Sequence, residues 1–173
     1  LELFQKNGDS LSGINDLMFY FTGLSNVRNI HQNTYLPGAI ADHLTSWGGA
    51  LDGEGQMSAL KWLEAGATGS YGTVQEPCNF TAKFPNPGLV IDAYHRGETL
   101  IEAYWKSVAM PGQGIFIGDP LAQPWGGHKV VRNGKWTEIT SHAFIPGHYL
   151  IKGSANSDGP FKILGGVECP PDE

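Results

Sequence analysis

The chain is short of charge. Lys, Arg, Asp and Glu make up 16% of its 173 residues, against roughly a quarter in ordinary soluble domains, so much of the surface is uncharged or covered. Basic residues are the scarcer sign, 11 against 17 acidic for a net charge of −6, and they form no run. A nucleic-acid footprint needs clustered Lys and Arg, so that class of partner is excluded. No apolar stretch approaches the 18 or so residues of a membrane-spanning helix, and no basic-then-apolar leader stands at the start. The first residue is Leu1 rather than methionine, which predicts a processed product or a fragment. Cysteine is limited to Cys78 and Cys169. A pair so far apart reads either as a disulfide of an oxidising compartment or as two thiols.

What is present is aromatic, glycine-rich and broken into short pieces. Five Trp, six Tyr and eight Phe can fill a sizeable core, while 24 Gly and 11 Pro demand many turns. Leu17-Met-Phe-Tyr-Phe21 is a continuous apolar run stopped by Thr22-Gly23, the pattern of a strand buried on both faces. Gly38-Ala-Ile-Ala41 is a second, and residues 67–74 and Gly114-Ile-Phe-Ile-Gly118 supply two more. Apolar positions at helical spacing predict a helix within 56–65, stopped at Gly66, and a wide stripe of Leu100, Ile101, Tyr104, Trp105 and Val108 predicts another. Residues 77–88 read as a proline-rich loop. Strands alternating with helices imply an α/β fold: a parallel sheet with helices on both faces, over residues 14–125. Residues 128–173 change texture to β-hairpins, the first around Asn133-Gly134. So short a β-rich extension is too small for a core of its own and is expected to pack on the first part.

The block Leu36-Pro-Gly-Ala-Ile-Ala-Asp-His-Leu-Thr-Ser-Trp-Gly-Gly49 carries the strongest functional signal. An apolar strand opens there into small polar residues, and open parallel sheets bind ligands beyond the carboxyl ends of their strands. Asp42, His43 and Ser46 are the candidate catalytic residues, drawn as a triad. Against them stands the rule that triads gather side chains from separate elements, and Asp42, Thr45 and Ser46 also suit backbone satisfaction at a tight passage. Asp42, His43, Glu76 and Asp119 are candidate metal ligands, placed at strand ends and suited by chemistry to Ca²⁺ or Zn²⁺. None of their spacings is diagnostic, and Asp119 before Pro120 also reads as a turn residue. Tyr71, Trp47, Trp105 and Trp125 are candidates for an aromatic cleft that takes sugar or peptide.

Three segments carry a resemblance: Leu-Pro-Gly-Ala-x-Ala-Asp-His-Leu-Thr-Ser at 36–46, Gly-Ala-Thr-x-Ser-Tyr-Gly-Thr-Val at 66–74 and Glu-Ala-Tyr-Trp-Lys-Ser-Val at 102–108. Over residues 17–125 the chain resembles an uncharacterised bacterial family of exosortase-containing species. That family in turn is similar to the carboxyl-terminal half of a caspase-like domain of the gingipain type. The resemblance implies that the stretch Tyr20–Gly23 stands where those proteases carry Gly-His-Gly, and Ala41–Gly48 where they carry Ala-Cys-x-x-Gly. It also sets Phe116-Ile-Gly-Asp-Pro-Leu121 against a later strand ending in Phe-Gly-Asp-Pro-Ser. Neither catalytic residue is present here. Thiolate chemistry needs a cysteine beside an imidazole, and Asp42 and Thr22 supply neither, while Cys78 lies in the proline-rich loop and would need a different geometry.

The implied function is that of a degenerate, non-catalytic protein of the bacterial envelope, periplasm or secreted fraction, acting by binding or assembly. The alternative is an active hydrolase or peptidase centred on Ser46, His43 and Asp42 or on a bound metal. The resemblance covers only the later strands of a caspase-like sheet, so the strand near Met18 is expected to pair with a separate polypeptide, either the upstream half of the same precursor or a neighbouring subunit. A third reading gives the hairpin extension a docking role by strand addition.

Overall fold

A computed structural model describes residues 10–52, 55–75, 80–134, 136–141, 144 and 146–170. The chain divides into two compact units, Leu1–Gly126 and Gly127–Glu173.

The first unit is a four-stranded mixed sheet in the order β1-β2-β3-β4. Its strands are β1 (Leu17–Thr22), β2 (Tyr35–His43), β3 (Gly69–Thr73) and β4 (Gly114–Gly118). β1, β2 and β3 are parallel. β4 is antiparallel to β3, with Gly118 opposite Gly69 and Gly114 opposite Thr73, which corrects the expectation of an all-parallel sheet. The reason lies in the connection. A single crossover helix carries the chain back to where a parallel strand starts, and α1 (Leu60–Glu64) does so between β2 and β3. Between β3 and β4 stand two helices, α2 (Pro87–His95) and α3 (Leu100–Ser107), packed on one another. An even number of passes returns the chain to the edge it left, so β4 must run the other way.

α2 was not legible as a stripe, but its start carries a clear signal. Asn86 accepts hydrogen bonds from Gly88 N and Leu89 N at 3.0 and 3.3 Å, and Pro87 occupies the first turn, where its missing N–H costs nothing. α3 begins with a reciprocal capping box between Thr99 and Glu102.

Two apolar cores flank the sheet. Val90, Tyr94, Leu100, Ala103 and Tyr104 of α2 and α3 pack with Met18, Ile40 and Tyr71. Trp62 of α1 packs with Leu17, Tyr20 and Ala41. Ile40 and Ala41 therefore belong to different cores, as adjacent strand residues must.

The second unit consists of two antiparallel hairpins. β5 (His128–Asn133) pairs with β6 (Trp136–Ser141), and β7 (Gly147–Gly153) pairs with β8 (Lys162–Cys169). The hairpin falls where the Asn-Gly pair set it, but one residue later in register: Asn133 is the last residue of β5, opposite Trp136, and Gly134, at φ +52°, leads the connection. None of its described residues is buried.

Candidate functional site

The carboxyl ends of β1 and β2 lie side by side, Phe21 beside Asp42 and Thr22 beside His43. The sheet therefore brings together the positions on which the sequence focused. It also separates their side chains, because Asp42 and His43 are consecutive on a strand and face opposite cores.

Asp42 points toward α3 and is fully buried. Its Oδ1 accepts from Tyr71 N at 2.7 Å and from Ser70 Oγ at 3.0 Å. The Tyr104 hydroxyl lies 3.1 Å from Oδ1 and 3.0 Å from Oδ2. Burial raises the carboxyl to about 7, against the opposing pull of the hydrogen bonds from Tyr71, Ser70 and Tyr104. Desolvation outweighs three donors because no cation acts on the carboxyl. The tyrosines respond in kind: burial, then the Asp42 charge, pushes Tyr71 to about 12 and holds Tyr104 well above its ordinary value.

His43 points toward α1 and is 1% exposed. Trp62 Nε1–H can only donate, so Nδ1, at 2.9 Å, must be the acceptor. The proton then sits on Nε2 and is donated to the Met57 carbonyl at 2.5 Å. Burial lowers the basicity of the ring, which favours the same neutral tautomer. Both nitrogens are taken, and neither has a lone pair left for a nucleophile.

Ser46 lies past the strand in the passage that follows, and is partly exposed. That passage folds back on β3: Gly49 N donates to Thr73 O at 2.9 Å and Thr73 Oγ1 to Thr45 O at 2.6 Å. Its glycines are required by close approach. A Cβ on Gly48 would fall 2.9 Å from His43 Nε2, and one on Gly72 would fall 2.5 Å from Gly48 C. Gly72→Ala should therefore cost about 3 kcal/mol by forcing two backbones apart, read as a shift in urea unfolding; an unchanged midpoint would show that the passage is loose.

A Ser46, His43, Asp42 relay is thus not assembled. The three metal candidates among the described residues, Asp42, His43 and Asp119, are not assembled either. Asp42 and His43 diverge, and Asp119 follows β4, whose antiparallel course puts it at the opposite edge, where it donates N–H to Thr68 O at 3.1 Å. Its Oδ1 accepts from Leu121 N at 3.0 Å, the turn role that a residue before Pro120 serves. Glu76 lies outside the described residues, as does Cys78 of the Cys78 and Cys169 pair. Among the described residues no three His, Cys, Asp or Glu side chains gather as ligands. The four aromatic candidates form no single cluster: Tyr71 meets Trp105 edge-on at 6.1 Å, Trp125 packs on Phe19, Tyr94 and His95, and Trp47 is exposed. Tyr71 itself is buried and lines no cleft.

The residues that sequence reading passed over are the partners: Ser70, Tyr71 and Tyr104 for Asp42, and Met57 and Trp62 for His43. No helix among the described residues is long and apolar enough to cross a membrane. No protein-family model, curated protein or solved structure matches the chain.

Proposed function

We propose that the chain is a non-catalytic protein with a degenerate caspase-like domain, secreted or held in the bacterial envelope, that acts by binding or assembly. The observation that carries this reading is the internal commitment of Asp42 and His43. Every polar atom of both side chains is engaged within the fold, on opposite sheet faces and out of reach of solvent. General-base catalysis needs a free lone pair within reach of the proton it removes, and this strand end offers none. The caspase-like reading itself rests on the resemblance, and the neighbouring ends of β1 and β2 agree with it. On that resemblance those ends would correspond to the strand ends that hold histidine and cysteine in such proteases, with Thr22 and Asp42 in their places.

The partner in this reading is a protein, the upstream half of a precursor or a neighbouring subunit, laid along β1. That strand is one edge of the four-stranded sheet, and an apolar edge strand is a ready template for pairing.

Peptide and ester hydrolysis by the full chain tests the reading. The expected result is no turnover above buffer, identical in Ser46→Ala. Hydrolysis that disappears in Ser46→Ala would overturn it in favour of an active hydrolase.

A further inference from the structure

The outer edge of β1 carries backbone groups that complement themselves. Leu44 N donates to Thr22 O at 2.7 Å. Alternate residues of a parallel strand turn their backbone groups toward the partner, so Thr22 and Tyr20 face β2 while Phe19 and Phe21 face outward. Among the described residues nothing pairs with the outward N–H and C=O of these two phenylalanines. The irregularity in the β1-β2 ladder falls between Leu17 and Phe19, so residues 19–22 keep a regular register. Open edges are ordinarily blunted by charge or proline, and the eleven residues from Leu17 to Val27 contain neither.

Consider β1 set antiparallel against a second β1 with Tyr20 opposite Tyr20. Phe19 of each copy then faces Phe21 of the other and exchanges both hydrogen bonds with it, the closely spaced pair of an antiparallel ladder. That pair occurs twice about the two-fold axis, so every outward group of Phe19 and Phe21 is used in both copies. Other centres do worse. One on Phe19 sets Phe21 against Leu17, whose N–H is already given to Thr34 O at 2.9 Å, and one on Phe21 sets Phe19 against Gly23, which has no ring to offer. The side chains follow the same symmetry. Phe19 and Phe21 share a face, their ring planes 13° apart and their centroids 6.4 Å apart, and Phe19 lies 5.9 Å from Trp125 at 6°. All three are partly exposed. The axis joins two such rows, and each Phe19 meets a Phe21 across the strands, an aromatic pair of the kind that stabilises a ladder.

We infer that the strand laid along β1 is the β1 of a second copy of this chain, the two four-stranded sheets joining into one of eight strands. This rests on the assembly reading above and names the neighbouring subunit as its partner. Because a substitution acts twice in an isologous interface, Phe21→Pro removes one bridging N–H from each copy and should weaken the dimer about hundredfold or more. Proline is tolerated on an edge strand where its nitrogen faces outward, and no described group within the chain uses the Phe21 N–H.

Sedimentation equilibrium of the full chain, joined to amide exchange of Phe19 and Phe21 followed by NMR at high and low concentration, is the test. A native dimer in which both amides are protected, and lose that protection on dilution, supports the interface and its register. A native monomer, a dimer in which either amide exchanges as freely as in the monomer, or a folded Phe21→Pro chain as dimeric as the native one each overturns it. The native chain alone decides the matter if Phe21→Pro does not fold. A native monomer without hydrolytic activity would remove the dimer and leave the non-catalytic reading standing, with the upstream half of a precursor as the partner of β1. Ser46-dependent hydrolysis would remove that reading whether or not dimers form.

Discussion

Replacing Asp42 by asparagine should erase a large pH dependence of stability. A buried carboxyl raised from 3.8 to about 7 binds its proton more tightly in the folded chain than in the unfolded one, so its stabilising contribution is complete below 3.8. It is lost progressively as pH rises to about 7, and is constant above. About three pH units at 1.36 kcal/mol each give a loss of about 4 kcal/mol. Asparagine has nearly the same shape and no charge to bury. Its oxygen can accept from Tyr71 N and Ser70 Oγ, and its amide can face the Tyr104 hydroxyl. Measured by urea unfolding, the stability of Asp42→Asn relative to the native chain should rise by about 4 kcal/mol between pH 4 and 8, with little change beyond pH 8. Other titrating groups are common to both proteins and cancel. A difference that stays level over this range, or falls with pH, would mean that the carboxylate is welcomed where the structure shows it sealed.

The second large effect is expected on the other face of the sheet, from Trp62→Ala. Trp62 is fully buried, meets Tyr20 edge-on at 5.0 Å and is the donor to His43 Nδ1. Truncating a buried tryptophan costs about 3 to 5 kcal/mol, and a buried acceptor left without its donor adds about 1 to 3 kcal/mol. Together these approach the whole stability of many domains, so Trp62→Ala should be largely unfolded under mild denaturant. Trp62→Phe separates the two contributions, keeping a ring against Tyr20 while orphaning the imidazole. It should lose only the smaller amount, measured in the same urea titration. Equal losses in both variants would place the value of Trp62 in its hydrogen bond rather than in its volume.

How much of this was legible depends on the range of the interaction. The runs at Leu17 and Gly114 announce strands because five consecutive residues settle the matter, and Asn133-Gly134 announces its hairpin for the same reason. The direction of β4 was hidden behind α2. With residues 77–88 read as loop and 89–96 given no element, one helix remains between β3 and β4 and a parallel strand follows. The Asn86-Pro87 cap was the available clue, and reading it gives two helices and an antiparallel return. That in turn moves Asp119 to the far edge, away from Asp42 and His43.

The candidate triad fails for a reason that the sequence also carries. Asp42 and His43 are neighbours on a strand, and neighbours on a strand face apart. What replaces the triad was not visible. Tyr104 is 62 residues from Asp42 and Trp62 is 19 from His43, and only the packing of α3 and α1 on opposite faces brings them in. Polar residues at a strand end read alike whether they serve solvent, substrate or the interior.

The central claim is that the end of β2 is committed to the fold, and the protonation of His43 tests it most directly. Nitrogen-detected NMR of the imidazole, followed downward from pH 8, should show a single neutral tautomer with its proton on Nε2, persisting to lower pH than in a solvent-exposed histidine because burial lowers its basicity. A ring that protonates near its usual midpoint of about 6.5, or that carries its proton on Nδ1 with Nε2 open, would contradict the account and return His43 to the list of working bases.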